Sequence, residues 1–127
     1  MQKRIMVVDD EPSLVELLKG IFENEKYKVI TAYNGREALE KLKHAKPDLI
    51  LLDMRMPGLS GREVREHLLK NPKTRDIKVI FLTIVKISEL SEELRKNIHA
   101  SDYITKPFDT KDLVERVKKV VEGNSQV

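Results

Sequence analysis

The chain has no cysteine, which excludes a disulfide framework and fits a reducing, cytoplasmic setting. It also has no long hydrophobic run. The N-terminal apolar stretch Ile5-Met6-Val7-Val8 stops at Asp9-Asp10, too soon for a signal peptide or a membrane span, so no membrane partner is expected. Glutamine is scarce, present only as Gln2 and Gln126, and the Lys/Glu-heavy composition leans toward a heat-tolerant source. Nor is there a large excess of one charge. The formal charge is +3 with 35% charged residues of both signs interspersed, which describes a solvated surface rather than a nucleic-acid stripe, and no nucleic-acid partner is expected. Internal repeats and low-complexity segments are absent. At 127 residues there is room for one domain with a real core and none for a second of ordinary size. The start at Met1 and the short polar end suggest an intact small protein, with a domain over 1–122 and a flexible tail over 123–127.

Short, continuously apolar runs are present, and three of them end in a reactive side chain. Ile5-Met6-Val7-Val8 leads into Asp9-Asp10, Leu49-Ile50-Leu51-Leu52 into Asp53, and Val79-Ile80-Phe81-Leu82 into Thr83. Such runs suit strands buried on both faces of a parallel sheet, where ligands sit beyond the carboxyl ends of the strands. Helical patterns separate the runs, so strand and helix alternate five times. The first helix, Pro12 to Glu25, carries an apolar stripe of Leu14, Val15, Leu17, Leu18, Ile21 and Phe22, wider than a buried seam needs, so part of it should be exposed. Lys28–Thr31 reads as a strand. Asn34 with Glu37 signals an N-cap, and Ser60 with Glu63 a capping box opening a helix toward Leu69. Ser88–Asn97 reads as a helix with a thin apolar face, Tyr103-Ile104 as a short strand, and Asp109–Glu122 as a last helix through Leu113, Val117 and Val120.

Asp9, Asp10 and Asp53 at neighbouring strand ends would repel one another unless a cation sits among them. Oxygen ligands with no nearby histidine or cysteine suit Mg²⁺. Thr83 and Lys106 supply the hydroxyl and the ammonium that can hold the oxygens of a transferred phosphoryl group beside such a site. Taken singly, each of these residues has an ordinary structural reading: a helix cap, a strand end, a solvated lysine. Only their joint placement points to a site.

Four motifs stand in order along the chain: Val7-Val8-Asp9-Asp10-Glu11, Asp48 through Asp53 to Pro57-Gly58, Leu82-Thr83, and Asp102-Tyr103-Ile104-Thr105-Lys106-Pro107-Phe108. Together they resemble the receiver domain of two-component response regulators over roughly the whole chain. The resemblance implies a flavodoxin-like, doubly wound, five-stranded parallel sheet of order 2-1-3-4-5 with five helices in one domain. It implies that Asp53 accepts a phosphoryl group from the phosphohistidine of a sensor histidine kinase. Asp10 would ligate Mg²⁺ directly and Asp9 mainly through water, with Asp53 and the backbone carbonyl of Arg55 completing the protein ligands. Thr83 and Lys106 would bind phosphoryl oxygens, and the Lys106–Pro107 bond would be cis. Tyr103 matches the aromatic that turns inward as the threonine moves. The signal would pass through the fourth helix and the strand after it to an unnamed downstream or phosphotransfer protein. Leu14, Leu17 and Pro107 would touch the kinase. Such a domain is no general enzyme, since it catalyses only its own phosphorylation and dephosphorylation.

The chain departs from the family at four positions. Ile84 is bulky where a small residue usually follows the threonine. Arg55 and Val85, two beyond Asp53 and Thr83, offer no carboxylate or amide to orient a hydrolytic water, so slow self-dephosphorylation is expected. His99 replaces the usual glycine, and a positive φ there would cost about 1 kcal/mol. His44, His67 and His99 show no spacing that would make them metal ligands. An aspartyl phosphatase would want Asp-x-Asp after the first strand, which Asp9-Asp10-Glu11 lacks. A flavin or nucleotide module would want a phosphate-cradling loop where these acids would repel phosphate.

Overall fold

In the computed structural model, which describes residues 2–123, strands and helices alternate along the chain. The strands are β1 (Arg4–Val8), β2 (Lys28–Ala32), β3 (Leu49–Leu52), β4 (Lys78–Thr83) and β5 (Asp102–Thr105). The helices are α1 (Pro12–Asn24), α2 (Gly35–Lys41), α3 (Gly61–Lys70), α4 (Glu92–Asn97) and α5 (Thr110–Glu122). All strand pairs are parallel, in the order β2-β1-β3-β4-β5 that the family resemblance implies.

The continuous apolar runs are divided residue by residue between two cores, because successive side chains of a strand point to opposite faces. Met6, Val8, Ile50, Leu52, Val79 and Phe81 face Ala38 of α2 and Val64 and Leu68 of α3. Ile5, Val7, Leu49, Leu51, Ile80 and Leu82 face Val15, Leu18 and Phe22 of α1 and Leu113, Val117 and Val121 of α5. Each such side chain, withdrawn from water, contributes about 1.5–3 kcal/mol before chain entropy is set against it.

The caps behave as the sequence predicts. Asn34 accepts from the Glu37 N–H, and Ser60 and Glu63 form a reciprocal capping box, each cap contributing about 1 kcal/mol. The Glu37 carboxylate, however, reaches back one residue further than a capping box requires and accepts from the Tyr33 N–H at 2.7 Å.

Two expectations need correcting. The Ser88–Asn97 helix is instead a 3₁₀ turn at Ile87–Glu89 followed by six-residue α4. Leu90 drops into the core between them and Ser91 caps the second piece by accepting from the Leu94 N–H. The buried face of α5 runs through Val121 rather than Val120, because Leu113, Val117 and Val121 are spaced i, i+4, i+8. In α1, as the wide stripe predicts, only Val15, Leu18 and Phe22 are buried and Leu17 is 54% exposed. His99 does take a positive φ of 50°, and Gly58, in the loop expected at Pro57-Gly58, has φ 77°. Gly123 caps α5 in the left-handed region; the rest of the expected tail, 124–127, lies outside the described residues.

Candidate functional site

The register brings the strand ends together. Val8 pairs with Leu52, so Asp9 and Asp53 leave the sheet side by side, and the Asp53 N–H continues the ladder by donating to the Val8 carbonyl at 3.0 Å. Thr83 closes β4 beside Thr105, and the Lys106 N–H donates to the Thr83 carbonyl at 2.8 Å, which fixes the lysine backbone to the threonine strand. The Lys106–Pro107 peptide is cis.

Asp9, Asp10 and Asp53 each offer a carboxylate oxygen, and the three lie within 4.8 Å of one another. Asp9 and Asp53 are buried and Asp10 is exposed, so the cluster opens to solvent on one side. Lys106 Nζ sits 2.8 Å from Asp9 Oδ2 and 3.6 Å from Asp53 Oδ2. Thr83 is fully buried, and its hydroxyl accepts from the Val85 N–H at 3.4 Å.

Burial pushes the Asp53 carboxyl above the usual carboxylate range. The Thr83 hydroxyl, Lys106 and the Arg55 N–H oppose this, and the neighbouring Asp9 charge adds to it. For Lys106, burial alone would lower the ammonium, but the Asp9 hydrogen bond and the charges of Asp53, Asp9 and Glu11 outweigh it and hold it above its ordinary value. Three carboxylates sharing one ammonium leave excess negative charge in a partly buried place, and all the donors are hard oxygens. A small divalent cation such as Mg²⁺ fits that donor set, with room on the Asp10 side for water or a phosphoryl oxygen.

Arg55 is exposed, and its N–H donates to Asp53 Oδ1 at 3.3 Å. Tyr103 is half-buried and turned inward: its hydroxyl donates to the Val85 carbonyl at 2.6 Å and its ring packs on Phe81 at 6.0 Å between centroids. Burial, then Glu89 and Asp53, push its hydroxyl pKa up. Leu14 and Phe108 are half-buried, while Leu17 and Pro107 are exposed. Ile84 is 59% exposed beside buried Thr83, and Ile87 is exposed in the turn that follows.

Two residues at the site carried no role in the sequence reading. Glu11 approaches Lys106 Nζ to 3.5 Å, and its N–H donates to Asp9 Oδ1 at 3.0 Å, the turn that starts α1. Gly61 packs the first turn of α3 against the Asp53 backbone so closely that a β-carbon there would stand 2.1 Å from the Asp53 carbonyl oxygen. Its only signal in the sequence was a glycine in the first turn of a well-capped helix, where no flexibility is needed.

The family model of the response regulator receiver domain matches residues 5–118. The alkaline phosphatase synthesis transcriptional regulatory protein PhoP of Bacillus subtilis is 42% identical over 124 residues. That is 95% of this chain but 49% of that protein, so the chain spans about half of its relative's length. Among solved structures, the response regulator protein TrrA of Thermotoga maritima, in complex with Mg²⁺ and BeF, is 42% identical with a TM-score of 0.77, covering 94% of this chain and 99% of that one. The signal receiver domain of a signal transduction histidine kinase of Syntrophus aciditrophicus is 34% identical with a TM-score of 0.85, covering 98% and 94%. Among the described residues, no helix is long and apolar enough to cross a membrane.

Proposed function

The chain belongs to the response regulator receiver family, and from that premise we propose that Asp53 accepts the phosphoryl group of a sensor kinase phosphohistidine and so sets a conformational switch. Receiver domains are signalling domains rather than classical enzymes, phosphorylated on aspartate with Mg²⁺ bound at an acidic cluster. In this chain the acceptor is the Asp53 carboxylate. Its oxygen forms the new O–P bond as the N–P bond of the donor breaks, and the donor imidazole keeps the electron pair. Mg²⁺ held by Asp9, Asp10, Asp53 and the Arg55 carbonyl would neutralise the incoming phosphoryl oxygens. Lys106 and the Thr83 hydroxyl bind the remaining phosphoryl oxygens, and Lys106, already tied to Asp9, orients without a large rearrangement. The observation that carries this reading is the convergence of three carboxylate oxygens, a buried hydroxyl and a half-buried ammonium at the ends of four strands.

The switch is read as the region from β4 through α5. New charge on Asp53 favours a state in which Thr83 and its loop close on the phosphoryl oxygens. Support comes from α4, a six-residue helix with no buried residue, the kind of element that opens at low cost, and from Tyr103, which links that loop to β5 through Val85. Kinase contacts fall on Leu14, Leu17 and Pro107, exposed or half-exposed around the site. The output is an unnamed partner protein or onward phosphotransfer, and a reducing cytoplasmic setting suits a cysteine-free chain.

The test is intact mass after incubation with Mg²⁺ and acetyl phosphate, beside Asp53→Asn and a chelated control. One added phosphoryl group, absent from both controls, is the expected result. Uptake that persists in Asp53→Asn would overturn the assignment. Hydrogen exchange of the phosphorylated protein tests the switch, with faster or slower exchange expected in α4 and β5 and unchanged exchange there counting against it.

A further inference from the structure

We propose that the groove between the C-terminal ends of α2 and α3 is a docking surface for an acidic, amphipathic helix of another protein. Two adjoining cavities of about 480 and 310 Å³ share Leu42, Lys43, Lys73 and Thr74 and so form one continuous groove. Its apolar surface comes from the half-buried Leu39 and Leu42 of the α2 end, over the fully buried Leu68 of α3. Its walls carry Lys43, Lys46, Lys70 and Lys73 with His44 and His67, and no aspartate or glutamate lines either cavity. The whole chain has a net charge of +3, so with four lysines here the remainder of the molecule is one charge negative.

Helix ends explain only part of this. A lysine in the last turn of a helix answers the negative end of its dipole, and Lys41 and Lys70 stand in those turns. Lys41 is already used, paired with Glu37 at 3.1 Å and bonded to the Thr31 carbonyl. Lys43, Lys46 and Lys73 lie beyond the helices. Lys73 is presented by a well-held turn: its N–H donates to Asn71 Oδ1 at 2.9 Å, and the buried Thr74 hydroxyl donates to the Leu68 carbonyl at 2.9 Å. The ion pair of Lys43 with Glu40, 3.3 Å long and two-thirds exposed on both sides, is weak enough to exchange for a partner carboxylate.

The shape decides between polyanions. A trough between two helices with leucines at i and i+3 on one wall receives a helix that anchors with apolar residues at the same spacing, while a lysine rim selects acidic flanks. A nucleic acid strand would leave the apolar surface of Leu39 and Leu42 unused. The groove lies at the amino ends of β3 and β4, with Lys46 before β3 and Asp53 after it, on the order of 20 Å apart at strand rise. It is thus separate from the phosphoryl site, and its failure as a dock would leave that reading intact. A surface this small holds a transient partner.

The test is an NMR titration of the ¹⁵N-labelled chain with a designed peptide bearing leucines at i, i+3 and i+7 and glutamates on its flanks. The same composition scrambled and a short oligothymidylate serve as comparison probes. The expected result is saturable amide shifts confined to the α2 end and residues 67–74, weaker by about tenfold or more in Lys46→Glu/Lys73→Glu. That variant should keep the wild-type melting temperature and phosphoryl uptake, since both lysines are exposed and free of ion pairs among the described residues. Absence of saturable shifts there, equal binding of the scrambled peptide, equal or tighter binding of oligothymidylate in the groove, or indifference to the double charge reversal would each overturn the proposal.

Discussion

Replacing Gly61 with alanine should damage the protein far more than the same change at Gly20, although both glycines are helical. At Gly61 the new β-carbon would stand 2.1 Å from the Asp53 carbonyl oxygen and 2.8 Å from the Met54 Cα, both backbone atoms that no side-chain rotation can move aside. Ordinary contact begins near 3.4 Å, so the first turn of α3 would have to retreat by about 1.3 Å from the acid-bearing loop. That retreat strains the 2.9 Å bond from the Gly61 N–H to the Met54 carbonyl. Overpacking and a lost hydrogen bond together cost about 2–4 kcal/mol, against a gain of up to about 1 kcal/mol from alanine's helix propensity. A net loss of about 2 kcal/mol in a chain of this size lowers the melting temperature by roughly 8 °C. Displacement of the Asp53 backbone by about 1 Å should also slow phosphoryl uptake on the order of 100-fold. Gly20 has nothing within 4 Å of its missing β-carbon, so Gly20→Ala should stabilise by about 0.5–1 kcal/mol and leave uptake unchanged. Thermal melts by circular dichroism, with uptake from acetyl phosphate followed by intact mass, read both quantities. A Gly61→Ala protein that melts within about 2 °C of wild type and phosphorylates at the wild-type rate would refute the close-packing argument.

Lys106→Met leaves Asp9 and Asp53 buried without their ammonium, so without metal it should lose about 3 kcal/mol of stability. It should also bind Mg²⁺ more tightly by calorimetry and take up phosphate at least ~100-fold more slowly; unchanged Mg²⁺ affinity would refute the charge argument. The folded-state pKa of Asp53 is raised, so the folded protein holds that proton to higher pH than the unfolded chain does. Its contribution is full below the ordinary carboxylate range and is lost as pH rises through the raised value. In chelator, the stability advantage of Asp53→Asn over wild type should therefore widen as pH rises from about 4, whereas parallel urea-midpoint profiles would show that Asp53 is not the strained group. Ile84 lies exposed beside the buried Thr83, and Ile84→Ala should speed loss of the phosphoryl group by opening a path for water; a half-life indifferent to the change would remove Ile84 from the account.

The sequence alone determined the three central strands, because an all-apolar run of four or five residues has few places to go other than a strand covered on both faces, while the order of the five followed from the family resemblance. It also determined the N-caps at Asn34 and Ser60, whose bonds are local and need no partner from afar. It named the residues that meet at the strand ends, because the reactive side chains follow those runs directly and parallel strands bring their carboxyl ends to one edge. Where each strand sits beside its neighbour was decided by tertiary contacts, and the register Val8 to Leu52 is what carries Asp9 to Asp53. The helical period marks a stripe but not how much of it a neighbour covers, so α1 had to be seen on the sheet before Leu17 proved exposed and Leu18 buried. For the same reason Val121 rather than Val120 completes the buried face of α5. The break in the Ser88–Asn97 segment came from Leu90 finding the core, a long-range gain that outweighs helical continuity over a short stretch with little apolar face. Gly61 and Glu11 take their meaning from backbone and charge brought in from remote segments, and the lysine-rimmed groove exists only because two helix ends and the loops after them close on one another.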